Sequence, residues 1–279
     1  MVLQADLAWL IITTMIHHLR LQSRQTTRYL FIILGALLAL HLWVAFCHLV
    51  LHWKVEAMTQ LVDLDLEANL PTFFNVSLFF IAAALFYLHG RAEQGAHRRG
   101  WFVMAWVFCF LGVDEGSQIH EKFMLFTIRL MNHGHQDAGG LGWFYYAWVI
   151  PYGLATIALV VILSGWLLKL RPELRRSLLI SGAVYVFGAI FLEMAGGKLA
   201  RTLPYHDASN FPWLPCNVYD DPASCWLYME PKYIFLYTME ETCEMTGLIL
   251  CIRALLKAFE AKHLQVALTV EERPPVPGR

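Results

Sequence analysis

Charged residues are scarce in this chain: Asp, Glu, Lys and Arg make up 15% of its 279 residues, whereas 58% are hydrophobic. The mean hydropathy of +0.49 excludes an ordinary soluble domain and a disordered chain. With a net charge of −1, the chain also lacks the excess of basic residues typical of nucleic-acid binding, so we expect no nucleic-acid partner. The composition predicts an integral membrane protein whose main partner is the lipid bilayer.

Several sequence signatures are absent as well. The repeated histidine boxes of membrane desaturases are missing, and so are the Ser-based and HExxH protease motifs. We expect no cleavable signal peptide, because Gln4 and Asp6 precede the first apolar stretch in place of a basic region. The function must therefore be argued from the ionisable residues inside the apolar segments.

The apolar segments predict an all-α fold, a polytopic membrane helix bundle with about six transmembrane helices. A spanning helix needs about 20 residues, and six segments approach or exceed that length: 29–52, 71–89, 101–123, 143–168, 176–200 and 233–256. A shorter apolar stretch within 1–28 predicts an N-terminal interfacial helix that leads into a basic segment. The predicted transmembrane domain is thus 29–256, with an outer loop at 201–232 and a tail at 257–279.

The basic residues predict the orientation. Most Lys and Arg residues lie in 1–28, 90–100, 169–176 and 253–279, which the six spans place on one side of the membrane. The positive-inside rule makes that side cytoplasmic, and both termini with it. Acidic residues gather at the opposite end. They need another explanation, because acidic residues contribute little to topology.

The third predicted span carries an acidic motif, Asp114-Glu115 followed by His120-Glu121, at its outer end. On a continuous helix Asp114 and Glu121 share one face, with Glu115 on one flank and His120 on the other. One site could then use Asp114 and Glu121 with either flanking residue, but hardly with both. The alternative is that Asp114 lies at a helix end, exposed to headgroups and water.

The fifth and sixth predicted spans add carboxyl groups at the same depth. Glu240, Glu241 and Glu244 follow seven mostly apolar residues of the sixth span. They lie too close together for all three to be ionised without cations, so they share protons or are neutralised by a metal ion or basic side chain. Glu193 is a lone acid in the fifth span, and its alternative role is a salt bridge with a following Lys or Arg.

A stripe of histidines lies on one face of the first span: His41, His48 and His52. His48 and His52 are one helical turn apart and level with the acids, a spacing that can bind one metal ion. The alternatives are b-type haem ligation and ordinary hydrogen-bonded packing. The sequence does not decide among these three.

Together these residues predict an outer-leaflet cluster that holds one or two divalent ions of iron, manganese or zinc. The candidate metal ligands are His48, His52, Asp114, His120, Glu121, Glu240 and Glu244, and the candidate catalytic acids or bases are Glu115, Glu193 and Glu241. The hypothesis is a metal-dependent membrane enzyme that acts on a lipid or another apolar substrate. The alternative is a non-catalytic subunit of a larger complex with other membrane proteins. Ion transport is disfavoured, because the ionisable groups occupy the outer half only.

Two cysteines, Cys216 and Cys225, lie nine residues apart in the outer loop. On the side that the basic residues place outside the cell, they predict a disulfide in an oxidising compartment. The alternative is a pair of free thiols.

Three segments, 64–72, 110–121 and 240–245, contain the motifs already described. They resemble patterns in bacterial multi-pass membrane proteins of unassigned function. The resemblance implies a location in the bacterial inner membrane, but it supplies no activity.

Overall fold

The structure, a computed structural model, describes residues 22–131, 142–219 and 222–261. Within these ranges the fold is all-helical and contains no β-strand, as the composition predicts. The predicted interfacial helix within 1–28 and most of the tail at 257–279 lie outside the described residues.

Nine α-helices lie within the described residues. They are α1 (Ser23–Phe46), α2 (Glu56–Val62), α3 (Leu70–Ala92), α4 (Arg98–Ser117), α5 (Ile119–Met131), α6 (Val149–Leu168), α7 (Pro172–Val186), α8 (Glu193–Thr202) and α9 (Pro231–Ala261). A wider π-turn, Cys47–Leu51, extends α1, and another, Phe187–Leu192, joins α7 to α8.

Four helical segments are long and apolar enough to cross a membrane: Ser23–Leu51, Leu70–Ala92, Val149–Leu168 and Pro172–Thr202. A fifth candidate is the pair of α4 and α5, whose axes differ by 82°. Helix α9 is 31 residues long but does not qualify, because its central turns carry three carboxylates. Several apolar membrane-type helices are therefore present, while the count of six stays a prediction.

Helix α9 is the centre of the bundle and packs against α1, α3 and α7. Two glycines allow its backbone to approach α7 and the π-turn that follows. A Cβ atom on Gly188 would lie 2.8 Å from the carbonyl oxygen of Glu240, and one on Gly247 would lie 2.8 Å from the backbone nitrogen of Tyr185. This close packing holds the acidic turns of α9 against α7.

The two ends of the bundle differ in charge. At one end, Ser23 donates hydrogen bonds from its backbone and hydroxyl to the Glu260 carboxylate, at 2.6 and 2.7 Å. The same end contains the basic ends of α3, α4, α6, α7 and α9, because the helices alternate in direction. The carboxylates of the predicted cluster lie toward the opposite end.

The loop that precedes α9 covers the acidic end. Cys216 and Cys225 form a disulfide with their Cα atoms 5.3 Å apart, which confirms the predicted bridge. Residues near the bridge pack on the segment between α2 and α3, where Leu66 belongs to the same small core as Tyr219. The Tyr228 hydroxyl donates a hydrogen bond to Asp65 in that segment.

Candidate functional site

A cavity of about 1100 Å³ lies between α6 and the bundle of α3, α4, α7 and α9. This volume is slightly above the range of about 300–1,000 Å³ that is typical of small-molecule sites. One face of α6 forms a wall of the cavity from Trp148 to Trp166. These two residues are separated by about 27 Å at 1.5 Å per residue, so the cavity is long enough for an extended hydrocarbon chain.

Helix α6 stands apart from the bundle along most of its length. Only 11% of the most apolar stretch of α6 is buried inside the protein, compared with 50% for α3. Just before its outer end, Tyr146 packs so closely on Gly197 that a Cβ atom there would lie 2.7 Å from the Tyr146 ring. At its inner end, Trp166 packs directly on Gly100. Contacts at both ends and few contacts between them leave the cavity open beside the middle of α6.

One end of the cavity is lined by carboxyl groups, and we call it the acidic end. Its acidic residues are Asp65, Glu67, Asp114, Glu115, Glu121, Glu193, Glu240, Glu241 and Glu244. Among the described residues no Lys or Arg lines the cavity, and His120 is the lining residue that can carry a positive charge. Toward the basic end of the bundle the wall is mostly apolar, with Met104, Leu163, Leu178 and Leu248.

A sharp bend between α4 and α5 places both Glu115 and His120 in this cavity. Gln118 has a left-handed backbone conformation, with φ of 54°, that ends α4, and α5 begins at the next residue. The Asp114 carboxylate accepts a hydrogen bond from the backbone N–H of His120 at 2.8 Å, which satisfies a donor at the start of α5. The continuous helix predicted over 101–123 is therefore wrong, and Glu115 and His120 line the cavity together.

Two pairs of titratable groups meet at the outer end of α6. In the first pair the carboxyl groups of Glu193, on α8, and Glu240, on α9, both line the cavity and lie close enough to interact electrostatically. In the second pair Nδ1 of His120 lies 3.4 Å from Oδ1 of Asp114. Trp148 joins the pairs: its indole N–H donates to Glu193 at 3.1 Å, and its rings lie 4.8 Å from the His120 ring.

A buried amide side chain holds one more of the carboxyl groups. Asn75, which is 1% exposed, donates from Nδ2 to Glu115 at 2.8 Å. Asn75 thereby links α3 to α4. The sequence analysis missed this residue, although a lone amide one turn into an otherwise apolar span was a usable signal.

The segment before α3 supplies two further acids to the cavity lining, Asp65 and Glu67. Burial, together with the negative charges of Glu115 and Glu121, raises the pKa of the Glu67 carboxyl to about 8. The Thr72 hydroxyl donates to Glu67 at 3.4 Å and opposes that shift. Glu67 therefore titrates near neutral pH at the mouth of the acidic end.

The structure does not bring the histidine stripe to this cavity. His48 is buried with Nε2 3.2 Å from the Thr59 hydroxyl, and His52 stacks on Trp213 with ring centroids 4.2 Å apart. The π-turn after α1 and the left-handed conformation of His52 remove the common face that a continuous helix would give the two residues. His41 is also engaged in packing, since its Nδ1 accepts from the backbone N–H of Leu64 at 3.3 Å.

A metal ion suits the donor types at the acidic end but not their arrangement. Among the described residues, no group of three or more His, Cys, Asp or Glu side chains converges to hold a metal ion. Two of the carboxyl groups instead accept hydrogen bonds from other side chains, Glu193 from Trp148 and Glu115 from Asn75. The divalent ion therefore stays a prediction, and no chemical step is assigned to it.

Fold and site together define the class: a helical protein with several membrane-type helices and an elongated cavity that is acidic at one end and apolar at the other. More particularly, the chain belongs to the family described as Domain of unknown function (DUF8692), whose family model matches residues 30–259. No curated protein matches the chain, and no solved structure matches it.

Proposed function

We propose that the protein is a membrane-embedded enzyme that takes a lipid or another long-chained apolar molecule into the cavity beside α6. The head of that molecule lies among the carboxyl groups, and its chain extends toward Trp166. The observation that supports this proposal is the division of one continuous cavity into an acidic end and an apolar end. An amphiphile, which has one polar end and one apolar end, matches both.

The absence of Lys and Arg from the described cavity wall bears on the charge of the head. A free phosphate or carboxylate head would face like charges with no basic side chain to pair with, which disfavours binding. An ammonium head or a head rich in hydroxyl groups would instead donate hydrogen bonds to the carboxylates. We therefore expect a cationic or hydroxylated head group.

The paired groups around Trp148 supply proton transfer. Two neighbouring carboxyl groups such as Glu193 and Glu240 can share one proton, so that one of them donates it while the other accepts. The Asp114 carboxylate orients the imidazole of His120, as expected of a histidine that acts as a general base. A head group beside Trp148 lies within reach of an acid and a base at once.

The proposal includes the membrane topology and location. In this topology helix α9 is the sixth span. Its carboxyl groups at Glu240 and Glu244 are buried inside the protein, so they do not face lipid although they lower the mean hydropathy of the helix. Lys and Arg at one end of the bundle support termini in the cytoplasm, and the resemblance noted above supports the bacterial inner membrane.

Lipid conversion by the purified protein tests the proposal. Protein in nanodiscs is incubated with a total bacterial lipid extract, and products are followed by mass spectrometry for the wild type and for Glu240→Gln. We expect a lipid species that the wild type consumes and the variant leaves, with Glu173→Gln, exposed at the opposite end, as the matched control. A lipid profile that the wild type leaves unchanged would contradict enzyme function. The same samples, analysed for bound metal, determine whether a divalent ion takes part.

A further inference from the structure

We propose that the indole of Trp166 sets the longest hydrocarbon chain that the cavity accepts. This inference rests on the proposed function, because it concerns the chain of the amphiphile bound there. Trp166 lines the cavity at its inner end, about 27 Å along α6 from Trp148 at 1.5 Å per residue.

The surroundings of Trp166 are suited to a chain terminus and not to a polar group. The nearby lining residues are apolar, with Met104 on α4, Leu163 on α6 and Leu178 on α7. The indole nitrogen of Trp166 is itself buried and has no hydrogen-bond partner among the described residues. A polar head placed here would lose its hydrogen bonds to water without replacement.

Trp166 is held firmly, so it can act as a fixed boundary. A Cβ atom on Gly100 would lie 2.2 Å from Cγ of Trp166, so the indole packs directly on the α4 backbone. Trp101 contacts the indole edge to face at 5.1 Å and stacks on His89 at 4.5 Å. His89 is hydrogen-bonded to the Leu255 carbonyl group at 3.1 Å, so the boundary is anchored to α3, α4 and α9.

The physical basis of the limit is packing. A chain that enters from the membrane leaves one apolar environment for another, so burial of additional methylene groups contributes little to affinity. A chain that fills the space gains van der Waals contacts with the close-packed wall. A longer chain must push Trp166 out of its own packing contacts, which costs energy. We therefore expect a sharp length limit.

Photolabelling with chains of graded length tests the inference. The probes are straight-chain primary alkylamines with a diazirine at the chain terminus, applied to full-length protein in nanodiscs, and labelled peptides are identified by mass spectrometry. In the wild type we expect the labelled position to move along α6 from Thr156 toward Leu163 as the chain lengthens, until labelling is lost.

Two substitutions should shift the limit in opposite directions. Trp166→Ala, with Trp166→Leu as a milder variant, removes the boundary, so longer chains should be labelled. Gly100→Ala forces the indole into the cavity, so the longest labelled chain should be shorter. The matched controls are Trp106→Ala, at a lipid-facing position that is 75% exposed, and Gly165→Ala, where a Cβ atom meets nothing within 4 Å.

Each outcome has one meaning. Opposite shifts in the two variants, with unchanged limits in the controls, support the inference. Saturable labelling with the same limit in both Trp166 variants overturns the inference and leaves the proposed function standing. If neither the alkylamines nor the corresponding straight-chain alkanols, labelled in the same way, give saturable labelling of the cavity, the proposed function fails, and this inference fails with it.

Discussion

The substitution Glu67→Gln should reduce the dependence of stability on pH. Burial and the charges of Glu115 and Glu121 raise the pKa of Glu67 from 4.5 to about 8. Between these values the folded protein binds a proton that the unfolded chain has released. The stability that this proton contributes is complete below pH 4.5 and is lost as the pH rises through 8.

The size of the effect follows from the shift. One pKa unit corresponds to about 1.4 kcal/mol, so a shift from 4.5 to 8 sets an upper bound of about 5 kcal/mol. Glu67 keeps partial contact with solvent, and we expect about 2 kcal/mol. Glutamine cannot ionise, so Glu67→Gln should be more stable than the wild type at pH 9, while the two proteins should differ little at pH 4.

Thermal unfolding in detergent, followed by tryptophan fluorescence from pH 4 to pH 9, measures this difference. Part of the pH dependence should persist in the variant, because burial also raises the pKa of Asp63 to about 8. Glu173→Gln, exposed at the opposite end, is the control and should behave as the wild type. If the unfolding temperature depends on pH in the same way in Glu67→Gln and in the wild type, Glu67 is not buried in an acidic environment.

Three further predictions concern packing, the disulfide and catalysis. Gly188→Ala places a Cβ atom 2.8 Å from the backbone of α9 and should cost about 1–3 kcal/mol in denaturant unfolding; Gly35→Ala, where a Cβ meets nothing within 4 Å, should cost nothing. Replacing Cys216 and Cys225 together by Ser should lower the unfolding free energy by about 2–3 kcal/mol, and a reductant should then have no further effect. Trp148→Phe keeps the ring but removes its hydrogen bond to α8, so it should lower the rate of lipid conversion more than lipid binding; equal losses of both would contradict its assigned role.

The sequence was sufficient for the helical class, the disulfide and most of the acidic residues. Apolar runs and isolated carboxylates are local features, and each remains visible without knowledge of its neighbours. The acids on α4, α8 and α9 do line one cavity, because the helices alternate in direction and their acidic turns lie at the same end.

The sequence was insufficient wherever one residue changed the direction of the backbone. The left-handed conformations of Gln118 and His52 are uncommon for residues other than glycine, and helical periodicity gives no sign of them. The bend at Gln118 brought Glu115 and His120 into one cavity, and the turn at His52 removed it from the face of His48. The cavity itself was unpredictable, because it depends on how far α6 stands from the bundle between Tyr146 and Trp166.

The most direct test is an experimental density map of the protein in lipid nanodiscs. The account predicts one continuous elongated density beside α6 that begins among the carboxyl groups near Trp148 and ends at Trp166. Closure of the cavity by direct packing of α6 along α4 and α7, with no such density, would contradict it.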